Sequence, residues 1–196
     1  MTIMTEYTIQ PASIHHATAI ADAIIAAITP ELCVELLCDD KHGIEDVHNM
    51  FEALARLEDS QYSFRNTLVA VTSDDKVAGV LVRYDGARLA SLRKAFIEEY
   101  KRSMGHTIDE STIPDETDAS EIYLDSLAVL PEYRGKGIAS ALIAEASRQA
   151  QVTGKPLGLL VDKHNANARR LYEKSGFICV GERFFLNELM DHMQMQ

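Results

Sequence analysis

Apolar side chains recur every three to four positions in several stretches of the chain, the spacing that lines one face of an α-helix. The clearest stripe runs through 14–28, where Ser13 is placed to cap the first turn. The stretches predicted to be helical on this basis are 14–28, 31–38, 44–57, 89–102, 136–151 and 165–174. The other apolar runs are denser and shorter, which favours strands.

Dense runs of β-branched and aliphatic residues predict the strands, and the clearest hairpin joins 67–72 to 77–84. The remaining strand predictions are 7–10, 121–129, 157–161, 177–185 and 189–195, with a turn at 186–188. Because a helix separates 121–129 from 157–161, these two strands should be parallel and joined by a right-handed crossover. The order of elements predicts one α/β domain of the α+β type over 1–196, with six or seven strands in a mixed, mostly antiparallel sheet flanked by helices.

In one stretch, 104–119, apolar residues do not recur at a regular spacing. It contains the acidic residues Asp109, Glu110, Asp115, Glu116 and Asp118. A loop of this length in a compact domain is usually functional or disordered. The formal net charge of the chain is −11, so nucleic acid is an unfavourable partner and a cationic partner is favoured.

Composition also bears on where the protein works. No apolar run approaches the ~20 residues of a membrane span, and 1–10 lacks the basic and apolar segments of a secretory signal. Cys33, Cys38 and Cys179 are odd in number and have no metal-binding spacing. We therefore expect a cytoplasmic protein with free thiols, no membrane partner and no metal.

The segment 123–139 carries the strongest candidate chemistry. Its strand ends in a proline-marked turn, and Gly135 and Gly137 then lead into a helix. The first N–H groups of a helix lack internal acceptors and carry partial positive charge, and two glycines leave them accessible. With the charges of Arg134 and Lys136, this arrangement predicts a site for a phosphate or pyrophosphate.

A dinucleotide-binding loop is an alternative, because Gly135 and Gly137 follow a strand and Asp162 ends the next one. Two features weigh against it. Ser140 occupies the third glycine position, and 130–134 separates the strand from the first glycine. A nucleotide-dependent oxidoreductase nevertheless stays open on these features alone.

A second block lies beyond the next strand, at 165–177, and reads Asn-Ala-Asn-Ala-Arg-Arg-Leu-Tyr-Glu-Lys-Ser-Gly-Phe. Together with Arg-Gly-Lys-Gly-Ile-Ala at 134–139, it resembles the GNAT superfamily of acetyltransferases, whose coenzyme A signature is Arg/Gln-x-x-Gly-x-Gly/Ala. The specific resemblance covers 121–177. It implies a GNAT-like domain with its coenzyme A-binding core over 121–177 and a sheet splayed between the two central parallel strands.

The resemblance implies transfer of an acetyl group from acetyl-CoA, as cosubstrate, to a primary amine by direct attack in a ternary complex. Loop N–H groups would hold the pyrophosphate, and the edge of the preceding strand would pair with the pantetheine arm. An N–H near Leu127 would polarise the thioester carbonyl. The residues implied in coenzyme binding are Leu127, Ala128, Val129, Arg134, Gly135, Lys136, Gly137, Ile138, Ala139, Ser140, Asn165, Asn167 and Tyr172.

Two of these residues have competing interpretations. Tyr172 would be the general acid that protonates the departing thiolate, or a packing residue of its helix. Asn165 would contact the pantetheine arm or Tyr172, or cap the helix that it opens, and both roles are compatible.

A base must also accept a proton from the amine. Strand alternation places Tyr123, Asp125 and Leu127 on one face, with Glu121 in the same row. Asp125 and Glu121 are therefore the candidate bases, provided that burial or a bridging water compensates for the low basicity of a carboxylate. The alternative is that Asp125 only attracts the cation.

The acceptor has no signature in the sequence. The acidic loop and the net charge favour a cationic small molecule or a protein amine. A non-catalytic acyl-CoA sensor is the alternative function, and it would keep 134–139 while tolerating loss of Tyr172. The last two strands could also pair across a homodimer.

Overall fold

The computed structural model describes residues 6–195, in which a seven-stranded mixed sheet is covered by helices on both faces. The strands are β1 (Tyr7–Pro11), β2 (Thr67–Thr72), β3 (Val77–Asp85), β4 (Ile122–Val129), β5 (Leu157–Val161), β6 (Phe177–Phe185) and β7 (Glu188–Met195). The helices are α1 (Ala17–Ile28), α2 (Pro30–Leu37), α3 (Ile44–Arg56), α4 (Leu89–Met104), α5 (Ile138–Gln151) and α6 (Ala166–Lys174). The predicted fold class is confirmed.

The sheet order is β1-β2-β3-β4-β5-β7-β6, and β4–β5 is its parallel pair, as predicted. These two strands pair only at their beginnings, where Ile122 lies opposite Leu157 and Tyr123 lies opposite Gly158. Both strands then continue without pairing to each other. The sheet therefore opens between the second halves of β4 and β5, and the predicted splay is confirmed.

Apolar stripes of the helices pack on both faces of the sheet. Helices α1 and α3 cover one face, with Ile24 and Phe51 among the fully buried side chains. Helix α5 covers the other face with Leu142. Burying a side chain of this size contributes about 1.5–3 kcal/mol, so the two apolar layers hold the central strands in place. No helix among residues 6–195 has the length and apolar character needed to cross a membrane.

Strand β6 forms one edge of the sheet and exposes the apolar side chains of Ile178, Val180 and Phe184. An edge of this kind can pair with another chain. A homodimer through the last two strands stays a prediction.

Candidate active site

Strand β4 has a bulge in its pairing with β3. Val82 lies opposite Ser126 and Arg83 lies opposite Leu124, so Asp125 is the extra residue of β4. A bulge leaves one residue out of the ladder and re-aims its side chain. The bulge comes just after the short stretch in which β4 pairs with β5.

The bulge reverses the alternation of side chains along the rest of β4. Leu127 and Val129 pack into the core beneath α5, in the same cluster as Ile122 and Leu124. Tyr123 packs on the opposite side, against Tyr84 and Leu89 in a separate cluster. The prediction that Leu127 shares a face with Tyr123 was therefore wrong, because strict alternation does not continue through a bulge.

Asp125 is half-buried and accepts a hydrogen bond from the Ser126 hydroxyl at 2.8 Å. Burial raises the pKa of Asp125 from 3.8 to about 7, and the nearby Glu116 carboxylate adds to the increase. A carboxylate with a pKa near neutrality is a much better proton acceptor than an ordinary aspartate.

The side chain of Glu116 is buried beside this position. It accepts hydrogen bonds from Arg93 Nη2 at 2.6 Å, from the Tyr84 hydroxyl at 2.7 Å and from Gln61 Nε2 at 2.7 Å. A buried charge requires such partners. Glu116 belongs to the acidic stretch 104–119, so this part of the stretch is anchored in the core.

The anchoring also neutralises much of the charge in that stretch. Arg93 pairs with Asp115 at 2.7 Å as well as with Glu116, and Arg183 pairs with Asp118 at 2.6 Å. The loop as a whole is therefore a weaker attractant for cations than its composition indicates. The sequence could not reveal these pairs, because Arg93 and Arg183 are distant from the loop along the chain.

Three tyrosines surround the two carboxylates. Burial raises the pKa values of Tyr62, Tyr84 and Tyr123 well above 10.0, with contributions from Asp125 and Glu116. The rings of Tyr84 and Tyr123 are 5.7 Å apart. Tyr84 and Tyr123 are only 3% and 4% exposed, so these neutral phenols approach the two carboxylates from within the core.

Glu121, the other candidate base, has no exposed surface. Its carboxylate lies 2.9 Å from His192 Nε2 and 2.8 Å from Gln194 Nε2, and it accepts a hydrogen bond from Thr117 at 2.7 Å. These contacts connect the start of β4 to β7 across β5. A buried carboxylate with three such partners is suited to connecting neighbouring strands of the sheet, and Asp125 stays the candidate base.

These Glu121 contacts require glycine at position 158, since a Cβ there would lie 1.9 Å from Glu121 Oε2. We expect Gly158→Ala to displace Glu121 from its buried partners and to lower the melting temperature by at least about 5 °C. Gly181→Ala is the matched strand control, because nothing lies within 4 Å of its added Cβ. Thermal unfolding checks this, and equal melting temperatures for the two variants would contradict it.

The loop before α5 has the exposed amides predicted for an anion site. Gly135 and Gly137 have φ values of 74° and 80°, in the left-handed region that favours glycine. Among residues 6–195, the N–H groups of Gly135 and of 137–140 have no hydrogen-bond acceptor. Arg134 donates from Nε to the Val129 carbonyl at 3.0 Å, which ties the loop to β4. The loop therefore fits a pyrophosphate.

Tyr172 lies on α6 and packs into the same core cluster as Leu127 and Val129 of β4. Its ring meets Phe177 edge-on at 5.6 Å, and burial raises the pKa of its hydroxyl to about 12. No residue of 6–195 forms a hydrogen bond with this hydroxyl. Tyr172 is therefore a packing residue whose hydroxyl is still available as a proton donor.

The two asparagines before and on α6 have local partners. Asn165 Oδ1 accepts from the N–H of Ala168 at 3.0 Å, which confirms that Asn165 caps the helix. Asn167 Oδ1 accepts from Arg170 Nη2 at 3.0 Å on the exposed side of α6. Their predicted contacts with a cosubstrate stay predictions.

Comparison with known proteins agrees with this geometry. A family model described as "Acetyltransferase (GNAT) family" matches residues 31–177. A solved acetyltransferase is 27% identical, with a TM-score of 0.76 and coverage of 96% of this chain and 98% of that chain. An N-acetyltransferase from Staphylococcus aureus Mu50 is 24% identical, with a TM-score of 0.78 and coverage of 96% and 100%. No curated protein matches the chain.

The fold and the family match define an acyltransferase. The chain belongs to the GNAT family of acetyltransferases, and the resemblance seen in the sequence is confirmed. The fold is also shared by yncA of Salmonella typhimurium, solved with its cofactor acetyl-CoA, at 18% identity, a TM-score of 0.56 and coverage of 98% and 94%. A dinucleotide-binding oxidoreductase is excluded, because its doubly wound parallel sheet differs from this mostly antiparallel one.

Proposed function

We propose that this protein transfers the acetyl group of acetyl-CoA to a primary amine of a cationic acceptor within a ternary complex. The observation that carries the proposal is the opening between β4 and β5, which has the amide-rich loop beyond one end and the Asp125 bulge at the other. The Salmonella relative with acetyl-CoA supports the choice of cosubstrate.

The residues present fit coenzyme A. The N–H groups of Gly135 and of 137–140 would bind the pyrophosphate at the positive end of α5, as a helix N-terminus does for phosphates. The edge of β4 at 127–129, which does not pair with β5, would bind the pantetheine amides in the manner of an added strand. Arg134 would hold the loop against β4 through its bond to Val129 rather than reach the phosphate itself.

The bound cosubstrate supplies an acetyl group activated as a thioester. Asp125 would accept the proton that the bound ammonium group must lose before its nitrogen lone pair can form the new C–N bond. A backbone N–H on the β4 edge would stabilise the charge that develops on the carbonyl oxygen. Tyr172 would donate its hydroxyl proton to the sulfur as the C–S bond breaks, and the second proton that the nitrogen loses would restore the Tyr172 hydroxyl. Free CoA and the acetylated amine would then leave, and Asp125 would return its proton to water.

The acceptor is proposed to be an amine that is charged in water. Asp125 is half-buried next to the opening between β4 and β5, and its carboxylate would attract an ammonium group. A small polyamine-like molecule and a protein amine both present this group. A turnover screen over a library of amines, with release of free thiol as the readout, identifies the class.

The same screen separates the enzyme from the alternative, a non-catalytic acyl-CoA sensor. A sensor would bind acetyl-CoA without releasing CoA in the presence of any amine. Failure to bind acetyl-CoA in a calorimetric titration would exclude both functions.

Substitution of the loop glycine tests where the pyrophosphate binds. We expect Gly137→Val to weaken acetyl-CoA binding at least about tenfold, because a side chain at φ 80° both strains the loop and covers the amides. Gly154→Val is the matched control, since Gly154 has φ 70° at the other end of α5. The measurement is calorimetric titration, and equal affinities for both variants would place the pyrophosphate elsewhere.

A further inference from the structure

Two histidines and one aspartate form a cluster outside the site described above. Asp39 and His42 lie in the loop between α2 and α3, and His106 follows the end of α4. Potential ligand atoms of the three side chains, one from each, lie within 4.8 Å of one another. Among residues 6–195, no other group of three such side chains has this spacing.

We propose that Asp39, His42 and His106 bind a divalent transition metal, with zinc as the best match. Two imidazole nitrogens and a carboxylate oxygen are a common zinc ligand set, and a water completes the tetrahedron. Magnesium and calcium prefer oxygen ligands only, so this donor set disfavours them.

The two distances from Asp39 Oδ2 to the imidazole nitrogens are close to those that a tetrahedral ion requires. Asp39 Oδ2 lies 3.1 Å from His42 Nδ1 and 2.6 Å from His106 Nε2. Bond lengths of about 2.0–2.2 Å to zinc imply ligand atoms about 3.3 Å apart. Small rotations of the three side chains, of which His42 is partly buried, would therefore admit the ion.

The backbone already orients the aspartate for this role. The N–H groups of Lys41 and His42 both donate to Asp39 Oδ1 at 2.7 Å, and the N–H of Asp39 donates to the His42 carbonyl at 3.1 Å. One carboxylate oxygen is thus held by the turn. The other oxygen, Oδ2, lies near both imidazoles, and His42 Nδ1 is shared between the two oxygens at 3.0 Å from Oδ1 and 3.1 Å from Oδ2.

A metal here would join parts of the chain that are distant in sequence. Asp39 and His106 are 67 positions apart, so local spacing could not predict the site. The ion would tie the segment after α2 to the end of α4. Helix α2 buries Cys33 in the core cluster against which Tyr62 packs, so the metal would stabilise this side of the domain.

The test uses the untagged full chain after treatment with a chelator, titrated with zinc chloride by calorimetry. We expect one equivalent to bind, and a melting temperature about 5 °C higher at a zinc concentration 100-fold above the Kd. Magnesium should leave the melting temperature unchanged. Cobalt substitution should give the visible absorption of a tetrahedral nitrogen and oxygen site.

Single variants assign the ligands. His42→Ala and His106→Gln should each lower zinc affinity at least tenfold, whereas His48→Ala should not. His48 is the matched control, because its Nε2 lies 3.0 Å from Asp22 in a histidine–aspartate pair without a third ligand. The His106 side chain is 59% exposed, so its replacement leaves the core intact.

The proposal is overturned if the wild-type chain binds no stoichiometric zinc, or if the His48 variant loses as much affinity as the other two. An equal response to magnesium would also overturn it. None of these readouts depends on acetyl transfer, so the outcome is independent of the proposed function.

Discussion

Replacing Tyr172 by Phe is expected to lower kcat by about a hundredfold to a thousandfold while the Kd for acetyl-CoA stays within about twofold of wild type. The hydroxyl is the only group removed, and the ring keeps its edge contact with Phe177 at 5.6 Å. A hydroxyl without a hydrogen-bond partner contributes little to stability, so the melting temperature should not fall.

The reason for so large an effect is the leaving group. A thiolate that departs into a largely apolar site is stabilised by a proton, and Tyr172 with a pKa of about 12 is still protonated at every pH used for assays. Its titration therefore should not produce an alkaline limb below about pH 10.

The control is Tyr100→Phe, which removes a tyrosine hydroxyl on α4, far along the chain from α6. Stopped-flow measurement of CoA release separates the chemical step from product release. Unchanged kcat would leave Tyr172 with its packing role alone. A parallel loss of kcat and thermal stability would indicate that the hydroxyl has a structural role, because Phe keeps the ring.

The architecture of this protein is predictable because its apolar pattern is consistent. The stripe in α1 and the dense runs in β2 and β5 lead to elements whose bounds agree with the prediction within a few residues. The parallel β4–β5 pair follows from the intervening helix, which leaves little topological choice. These features depend on secondary-structure propensity and on which side chains are apolar, and both can be read from the sequence.

The candidate site is less predictable because it depends on departures from regular structure. Nothing in the residues around Asp125 signals a bulge, yet the bulge decides that Leu127 faces α5. The pairing of Glu116 with Arg93 is equally hidden, since only tertiary contact brings them together. A glycine inside the apolar run of β5 was a usable signal, since such a glycine often marks close approach of another group.

Asp125→Asn is expected to lower kcat/KM by about a hundredfold or more at pH 8. It should also abolish the acidic limb of the pH profile, which is the range in which activity rises with pH. In the wild-type enzyme, activity should rise with pH through about 7, because Asp125 must lose its proton before it can accept one from the amine. An isosteric amide keeps the shape of the site but cannot take up a proton. Glu121→Gln should leave the position of this limb unchanged, which distinguishes the two carboxylates.

A second variant should shift the pH range in which activity rises without removing Asp125, the proposed base. Ser126 donates to Asp125 at 2.8 Å, and this bond lowers the pKa of the carboxyl. Ser126→Ala should therefore shift the acidic limb to higher pH while activity at high pH is largely kept. A limb that stays in place would show that another group controls it.

The raised pKa of Asp125 has a consequence for stability whose sign is opposite to that of most aspartates. Its folded-state pKa of about 7 exceeds the ordinary 3.8, so the fold favours the protonated form. The stability that Asp125 contributes is complete below about pH 4 and is lost as pH rises through about 7, by about 2–4 kcal/mol. Asn at this position cannot ionise, so the variant does not lose this stability as pH rises. Its melting temperature relative to wild type should therefore increase from pH 5 to pH 8, and a difference independent of pH would mean that Asp125 has an ordinary pKa and is not the base.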